Sequence, residues 1–314
     1  MRNLVWIVVL IIFSLAACSG REENVPASSA PTDEEQAVSL LGESLYPSPP
    51  ADEMVQKYKK AKAEYEMNPD DPDALIWYGR RTAYLGKYKD AIEIYTQGIE
   101  KFPQDARIYR HRGHRYISTR KFDQAIEDFE HAVRLVEGKE DENEPDGIPN
   151  ARNIPVSTIQ GNIWYHLGLA YYLKNDMENA LRAYRKSIQV SQNSDMLVAT
   201  THWLYMTLRR LKRDEQARQS LEPIHAEMEI IENMAYHQLC LFYKGEIPAE
   251  SLMGGDQFTA IMNDATAYGL GNWYFYNGDR EKAKEIFRSL LEKKSWASFG
   301  YIAAEADFAR EFKE

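Results

Sequence analysis

Two cysteines and seven histidines are the residues of this chain best suited to covalent or metal chemistry. Their surroundings dispose of most of it. His111 and His114 stand three apart on a predicted helix, which puts both imidazoles on one face. No carboxylate or cysteine at ligand spacing completes a zinc set there, so they read as a solvated or groove-lining pair. Cys240 lies between Leu239 and Leu241 and reads as a small buried apolar residue. If Cys18 is modified, Cys240 has no internal partner, and no disulfide framework follows. No glycine-rich phosphate loop, Gly-x-Ser-x-Gly elbow or His-Glu-x-x-His run is present. The paired acids Asp70-Asp71 and Glu22-Glu23 fall in a turn and a tether, and such pairs are common with 48 acidic residues in 314. No catalytic residue, metal or cofactor is assigned, and the chain reads as a non-enzyme. What remains is recognition. Arginine offers carboxylates a planar fork of donors, and tyrosine offers stiff amphipathic contact area.

One cysteine does have a chemical context. Arg2 precedes an apolar run from Leu4 to Phe13, which is too short to span a bilayer comfortably. Leu15-Ala16-Ala17 then leads into Cys18. An ordinary secretory signal ends at an Ala-x-Ala-like site and needs no cysteine. Leu-Ala-Ala-Cys resembles a bacterial lipobox. That resemblance implies a signal peptide over 1–17, cleavage before Cys18, and lipid on its sulfur and new amino terminus. The alternatives are an uncleaved anchor or an ordinary signal with a chance cysteine. Each buried methylene contributes about 0.8 kcal/mol, so several long chains would hold the protein permanently. Ser19 follows, rather than the aspartate that commonly retains such proteins in the inner membrane. The expected location is therefore the outer membrane, lipid-anchored, facing the periplasm or the surface.

The net charge of −10 argues against nucleic acid, which needs a concentrated basic face, and against a polybasic membrane patch. Membrane contact is expected through the lipid alone. Residues 18–51 are rich in Ser, Pro, Ala and Glu and close on Pro47-Ser48-Pro49-Pro50. They read as a disordered tether with a reach on the order of 30 Å.

From Asp52 the chain repeats itself with a period of about 34 residues. With Pro72 as position one, Leu75, Tyr78, Gly79, Gly86, Tyr88, Ala91, Tyr95, Gly98 and Pro103 mark one copy. Ala106 opens a second, with Tyr109, Gly113, Tyr116, Phe122, Ala125, Phe129 and Ala132. Gly161 opens a third, with Trp164, Leu167, Gly168, Tyr171, Ala180 and Tyr184. Val198 opens a looser fourth and Asp264 a last clear one, with Gly271, Tyr274, Gly278, Ala283 and Phe287. The pattern resembles the tetratricopeptide repeat, whose units are pairs of antiparallel helices that stack because none buries its apolar face alone. The expected fold is an all-α solenoid of about five to six helix pairs with a capping helix. Residues 52–136 form an opening helix and repeats one and two. Residues 137–160 form an insertion, and 161–314 hold repeats three onward, one interrupted unit over Ile230 to Ile261, and a closing helix near Ser298 to Glu311. The insertion, with Lys139-Glu140-Asp141-Glu142-Asn143-Glu144, reads as a solvated loop rather than a cation site, for it lacks the spacing of a calcium loop.

Further resemblance lies in the second half. His202-Trp203-Leu204-Tyr205, Leu241 through Pro248 with Ser251-Leu252-Met253, and Trp273-Tyr274-Phe275-Tyr276-Asn277-Gly278-Asp279 through Phe287 look like the lipoprotein family that includes new lipoprotein I. The resemblance implies an adaptor in the cell envelope that gathers peptidoglycan hydrolases and their proteases, and it allows a homodimer. The longer tether and the acidic insertion depart from that family and leave the partner open. A subunit of an outer-membrane protein assembly machine and a surface glycan-binding lipoprotein are the other functions weighed.

In such a solenoid the first helix of each unit lines the concave face. The facing positions carry Arg80, Tyr84, Arg107, Arg110, His114, Tyr165, Tyr172, His202, Arg209, Arg210, Tyr268 and Tyr276. This basic and aromatic set would suit an extended peptide with acidic side chains or a free carboxylate. Alternatively, the arginines pair with acids of the same array and the tyrosines simply pack. The set does not match a chaperone-type carboxylate clamp, since Ile76 with Arg80, then Arg110 with His114, replace its lysine and asparagine.

Overall fold

The computed structural model describes residues 34–252 and 263–312. The expected signal peptide, Cys18 and the first part of the expected tether lie outside the described residues, as do 253–262 of the interrupted unit. Within the described residues the chain is helical apart from one small antiparallel ribbon, β1 (Ala37–Val38) against β2 (Ser44–Leu45), with Ala37 opposite Leu45. An opening helix α1 (Asp52–Met67) stacks Tyr58 and Tyr65 on Tyr78 of the first repeat. The repeats follow as α2 (Pro72–Tyr84) with α3 (Tyr88–Lys101), α4 (Ala106–Ser118) with α5 (Phe122–Val136), and α6 (Ile159–Leu173) with α7 (Met177–Val190). Next come α8 (Ser194–Arg210) with a short α9 (Asp214–Ser220), α10 (Met234–Lys244) with a 3-10 turn at Ala249–Leu252, and α11 (Asp264–Tyr276) with α12 (Arg280–Leu291). Helix α13 (Phe299–Glu311) ends the chain.

The repeat residues show why each pair packs as it does. A glycine on the first helix lies under an aromatic ring of the second. A Cβ on Gly113 would sit 2.9 Å from Phe129, on Gly168 2.7 Å from Tyr184, and on Gly271 2.6 Å from Phe287, so a side chain there must overpack. Ala91, Ala125, Ala180 and Ala283 on the second helices are fully buried for the same reason. Asp71, Asp105, Asp176 and Asp279 accept backbone N–H bonds at helix starts, which fixes where each helix begins. The turn inside each unit uses one left-handed residue at the same repeat position: Gly86, Arg120, Asn175, Lys212 and Gly278. At three of these five turns a side-chain-bearing residue accepts a conformation that glycine enters freely.

One expectation needs correction. Residues 34–51 are not a tether. Ala37 and Leu45 are buried against Trp296 and Tyr301, the Trp296 indole donates to the Tyr46 carbonyl at 2.6 Å, and Leu40 N–H donates to Glu305 at 2.7 Å. Too few apolar residues lie in this stretch to build a core, but the far end of the chain supplies one. Helix α13 falls where the closing helix is expected, and it is buried along most of its length. Gly300 through Asp307 are all buried. Helix α13 packs on α11 and α12 and reaches back to α6, where Arg310 donates to the Leu173 carbonyl at 2.8 Å. The stack curls until its ends meet. Tyr88 at the start of α3 meets Trp296 edge-on, ring centroids 5.4 Å apart, and Arg115 of α4 lies over Tyr88.

Candidate functional site on the concave face

The chain's own segments cover the faces that the sequence assigns to a groove. In the first half, the insertion crosses the faces of α2 and α4 as a strap. Asn143 and Thr158 bridge its two ends. Between them Glu144 turns inward, its carboxylate 3.1 Å from the Arg110 guanidinium and 3.5 Å from His111, and it accepts from the Asn162 amide at 2.8 Å. Arg80 donates to the Pro145 carbonyl and Arg81 to the Gly147 carbonyl, each at 2.8 Å. Tyr84 lies against Gly147. The solvated-loop reading of 137–160 is therefore corrected in part. Glu144 and Val156 are buried, while Ile148 and Ile154 stay largely exposed. A buried guanidinium strongly favours a counter-ion, and Glu144 supplies it.

Histidines share this half. His114 stacks against His166 and Phe299, with ring centroids 4.7 and 5.2 Å apart. Burial, helped by the neighbouring Arg110 and Arg115, holds His111, His114 and His166 well below the ordinary histidine pKa, so all three are neutral near pH 7. Burial also lowers the Arg110 pKa, against the pull of Glu144. Arg107 stays out of the groove, held at its edge by a fork on Asp105 and by Asp73.

In the second half, α13 packs over α11 and α6. Asp307 accepts from Arg210 and, at 2.8 Å, from Tyr268. Tyr172 and Tyr268 share a hydrogen bond of 2.7 Å, and Asn272 joins Tyr172 to Arg210 with bonds of 2.9 Å each. Burial pushes Tyr172 up to about 12. Glu305 receives the Arg120 guanidinium at 2.7 Å. His202, fully buried, is stacked on Tyr236 and its pKa falls to about 3 through burial. Arg209 lies over the Tyr276 ring and pairs with Asp214 at 2.8 Å. Between the halves, Tyr165 accepts from the Trp203 indole at 2.8 Å and borders a cavity of about 270 Å³ with Asn162, His166, Thr200, Asn233 and Tyr236.

The twelve predicted groove residues therefore do not form one surface. Arg80, Tyr84, Arg110 and His114 sit around the strap, and Tyr165 at the cavity. Tyr172, His202, Arg210 and Tyr268 belong to the packed interior. Arg107, Arg209 and Tyr276 serve local pairs. The residues missed from sequence are the acids that answer the arginines: Glu144, Glu305 and Asp307. The last two carried a signal, since Glu305 between Ala304 and Ala306, and Asp307 between Ala306 and Phe308, interrupt an apolar stretch and need buried partners.

Tetratricopeptide-repeat family models match residues 79–140, 161–194 and 265–293, and the chain is an all-α tetratricopeptide-repeat solenoid. Among curated proteins it is similar to BBSome complex member BBS4 of Bos taurus, 26% identical over 142 residues, covering 45% of this chain and 23% of that one. It is also similar to small glutamine-rich tetratricopeptide repeat-containing protein 2 of Saccharomyces cerevisiae, 28% identical over 149 residues, covering 45% and 37%. The matched region thus spans well under half the length of either relative. Similar solved structures include YrrB, a repeat protein with an unusual peptide-binding site (17% identity, TM-score 0.42, 75% of this chain and 91% of that one). Another is MamA from Desulfovibrio magneticus RS-1 (17% identity, TM-score 0.42, 55% and 84%).

Proposed function

We propose that this protein is a non-enzymatic interaction scaffold of the bacterial cell envelope, anchored by lipid on Cys18, whose concave face takes extended acidic segments of its partners. Repeat solenoids of this kind offer docking surfaces rather than reaction centres. One observation carries the peptide part of the reading: the groove already holds an extended acidic segment in cis, with Glu144 on Arg110 and two strap carbonyls on Arg80 and Arg81. A partner segment with a carboxylate at the same place would meet the same donors once the strap lifts. The strap suits such exchange because its outer part carries few buried apolar contacts. The anchor reading rests on Leu15-Ala16-Ala17-Cys18, and cell-wall hydrolases or their proteases are the partners the family resemblance suggests. A glycan groove is less well supported, because Tyr172 is buried and hydrogen-bonded and offers no ring to a sugar.

Crosslinking in intact cells tests the scaffold. Glu144→Ala, which frees Arg110, is expected to raise the yield of captured envelope hydrolases or proteases over the unaltered chain. Unchanged capture would remove the concave face from the account. Cys18→Ser is expected to move the protein from the membrane to the soluble fraction, and continued membrane association would remove the anchor.

A further inference from the structure

The side of α6 that faces away from the concave surface floors a second groove. At about 100° per residue, Trp164, Leu167 and Tyr171 point opposite to Asn162, Tyr165 and His166. They floor a groove of about 630 Å³ between α5 and α7, the second helices of units two and three. Val133 and Ala183 form its apolar walls. Leu167 is buried, and Trp164 and Tyr171 are half-buried, recessed between the two helices.

The rim is cationic. Arg134 comes from α5, and Arg182, Arg185 and Lys186 from α7, all exposed. Among the described residues none of the four meets a carboxylate. Arg134 touches His131, Arg182 touches Asn179, and Arg185 touches Gln216. The one acid in the groove, Glu130, already accepts from the Tyr171 hydroxyl. Elsewhere on these units the pattern is the reverse. Arg112 is forked on Asp128, Lys174 pairs with Asp123, and Arg213 pairs with Glu178. In a chain of net charge −10, four cations without counter-ions around an aromatic floor are a local excess that the fold does not use.

We propose that this outer groove docks an acidic segment of a partner protein, with an apolar side chain seated on Trp164 and Leu167 and carboxylates on Arg134, Arg182 and Arg185. Arginine pairs favour carboxylates in two-bond geometry, and a recessed aromatic floor supplies the desolvated anchor point. A bilayer is the poorer occupant. Insertion into lipid needs rings that protrude, whereas Trp164 and Tyr171 are half-buried between α5 and α7. The inference rests on the scaffold reading but not on the concave face, so this protein would hold two partners on opposite sides of one helix layer.

The test uses the full chain in detergent and a fluorescein-labelled peptide, Asp-Glu-Leu-Glu-Phe-Glu-Glu-Leu, beside a copy with Asn and Gln for the acids. Fluorescence polarisation is expected to show the acidic peptide binding at least about tenfold tighter than the neutral one. The triple variant Arg134→Glu, Arg182→Glu, Arg185→Glu is expected to lose that binding with its helical circular dichroism intact, and Trp164→Ala to weaken it. Should the triple variant lose helicity, Arg→Gln at the same three positions, with the peptide comparison on the unaltered chain, decides. No binding of the acidic peptide, or equal binding of both peptides, overturns the groove. Sensitivity to Glu144→Ala without sensitivity to the triple variant places the peptide on the concave face, which overturns this proposal and leaves the scaffold standing. Binding to phosphatidylglycerol vesicles but not to the acidic peptide, lost in the triple variant, assigns the surface to the membrane and overturns it as well.

Discussion

The two halves of the concave face are closed by opposite means. In the second half helix α13 is buried from Gly300 to Asp307, and its two buried acids, Glu305 and Asp307, meet Arg120 and Arg210 with almost no solvent access. In the first half a strap lies across the helices, held mainly by polar contacts, with one buried carboxylate and much of its length exposed. Both use an arginine of the repeat array and an acid from another segment. Only the setting differs. A charge pair locked inside a helix interface cannot separate without leaving an uncompensated ion, whereas a pair at the foot of a loop can open and let water in. The comparison separates a closure built into the core from one that can open locally.

Substituting the acid on each side gives the largest contrast. Asp307→Ala strands the Arg210 guanidinium in the interior and removes an acceptor from Tyr268, which is expected to cost about 3–5 kcal/mol. Glu144→Ala leaves Arg110 free to hydrate as the strap lifts, and about 1–3 kcal/mol is expected. Guanidinium denaturation midpoints of the two variants measure the difference. Equal losses would mean that the strap is as structural as α13, and the exchange of strap for partner would be lost with it.

Acidification separates the halves next. His202 has a pKa of about 3 in the folded chain, below its unfolded value, so the unfolded chain binds the proton more readily. Stability is then full above about pH 6.5 and falls as pH drops toward 3, by about 2 kcal/mol at pH 5 from this residue alone. His111, His114 and His166 shift in the same direction, with Arg110 and Arg115 opposing their protonation. They, however, lie by the strap and can gain water by local opening. Hydrogen exchange, corrected for intrinsic rates, is expected to show Glu144 and Ile159 amides losing protection on acidification before the Ile302 amide does. These amides are hydrogen-bonded to Ser157, Glu142 and Ser298. Simultaneous loss would show one cooperative unit and erase the distinction.

How much of this was legible beforehand follows the same division. The solenoid was plain because its determinants are local and periodic: Gly113 under Phe129, Ala125 at the crossing, and Gly86 or Gly278 at the turns recur at fixed spacing. The closures were not, because each joins residues far apart in the chain. Leu40 and Glu305 are separated by 265 positions, Arg120 and Glu305 by 185, and Arg80 and Pro145 by 65. A ribbon with strands of two residues has no periodicity to read, so 34–51 passed for a tether. In the strap, Glu140, Glu142 and Glu144 look alike as letters, and only the approach to Arg110 singles out the third. The groove list failed where it assumed an open concave face. A curled array instead supplies its own acids to these arginines, Glu144 to Arg110 and Asp307 to Arg210.

The smallest expected effect lies at the strap's outer edge. Arg152 pairs with Glu229 and Asn150 with Glu232, joining the strap to the segment before α10. Both sides of the Arg152 pair are more than half exposed, so solvent screens it and side-chain ordering offsets most of the gain. Arg152→Ala is therefore expected to shift global stability by less than about 0.5 kcal/mol. It removes a contact that fixes where the strap's far end rests, so Glu144 exchange should rise while Ile302 exchange stays constant. An equal rise at both amides would mean that the strap's edge is tied into the core. Weakening its outermost ion pair would then loosen the whole stack rather than one of its two closures.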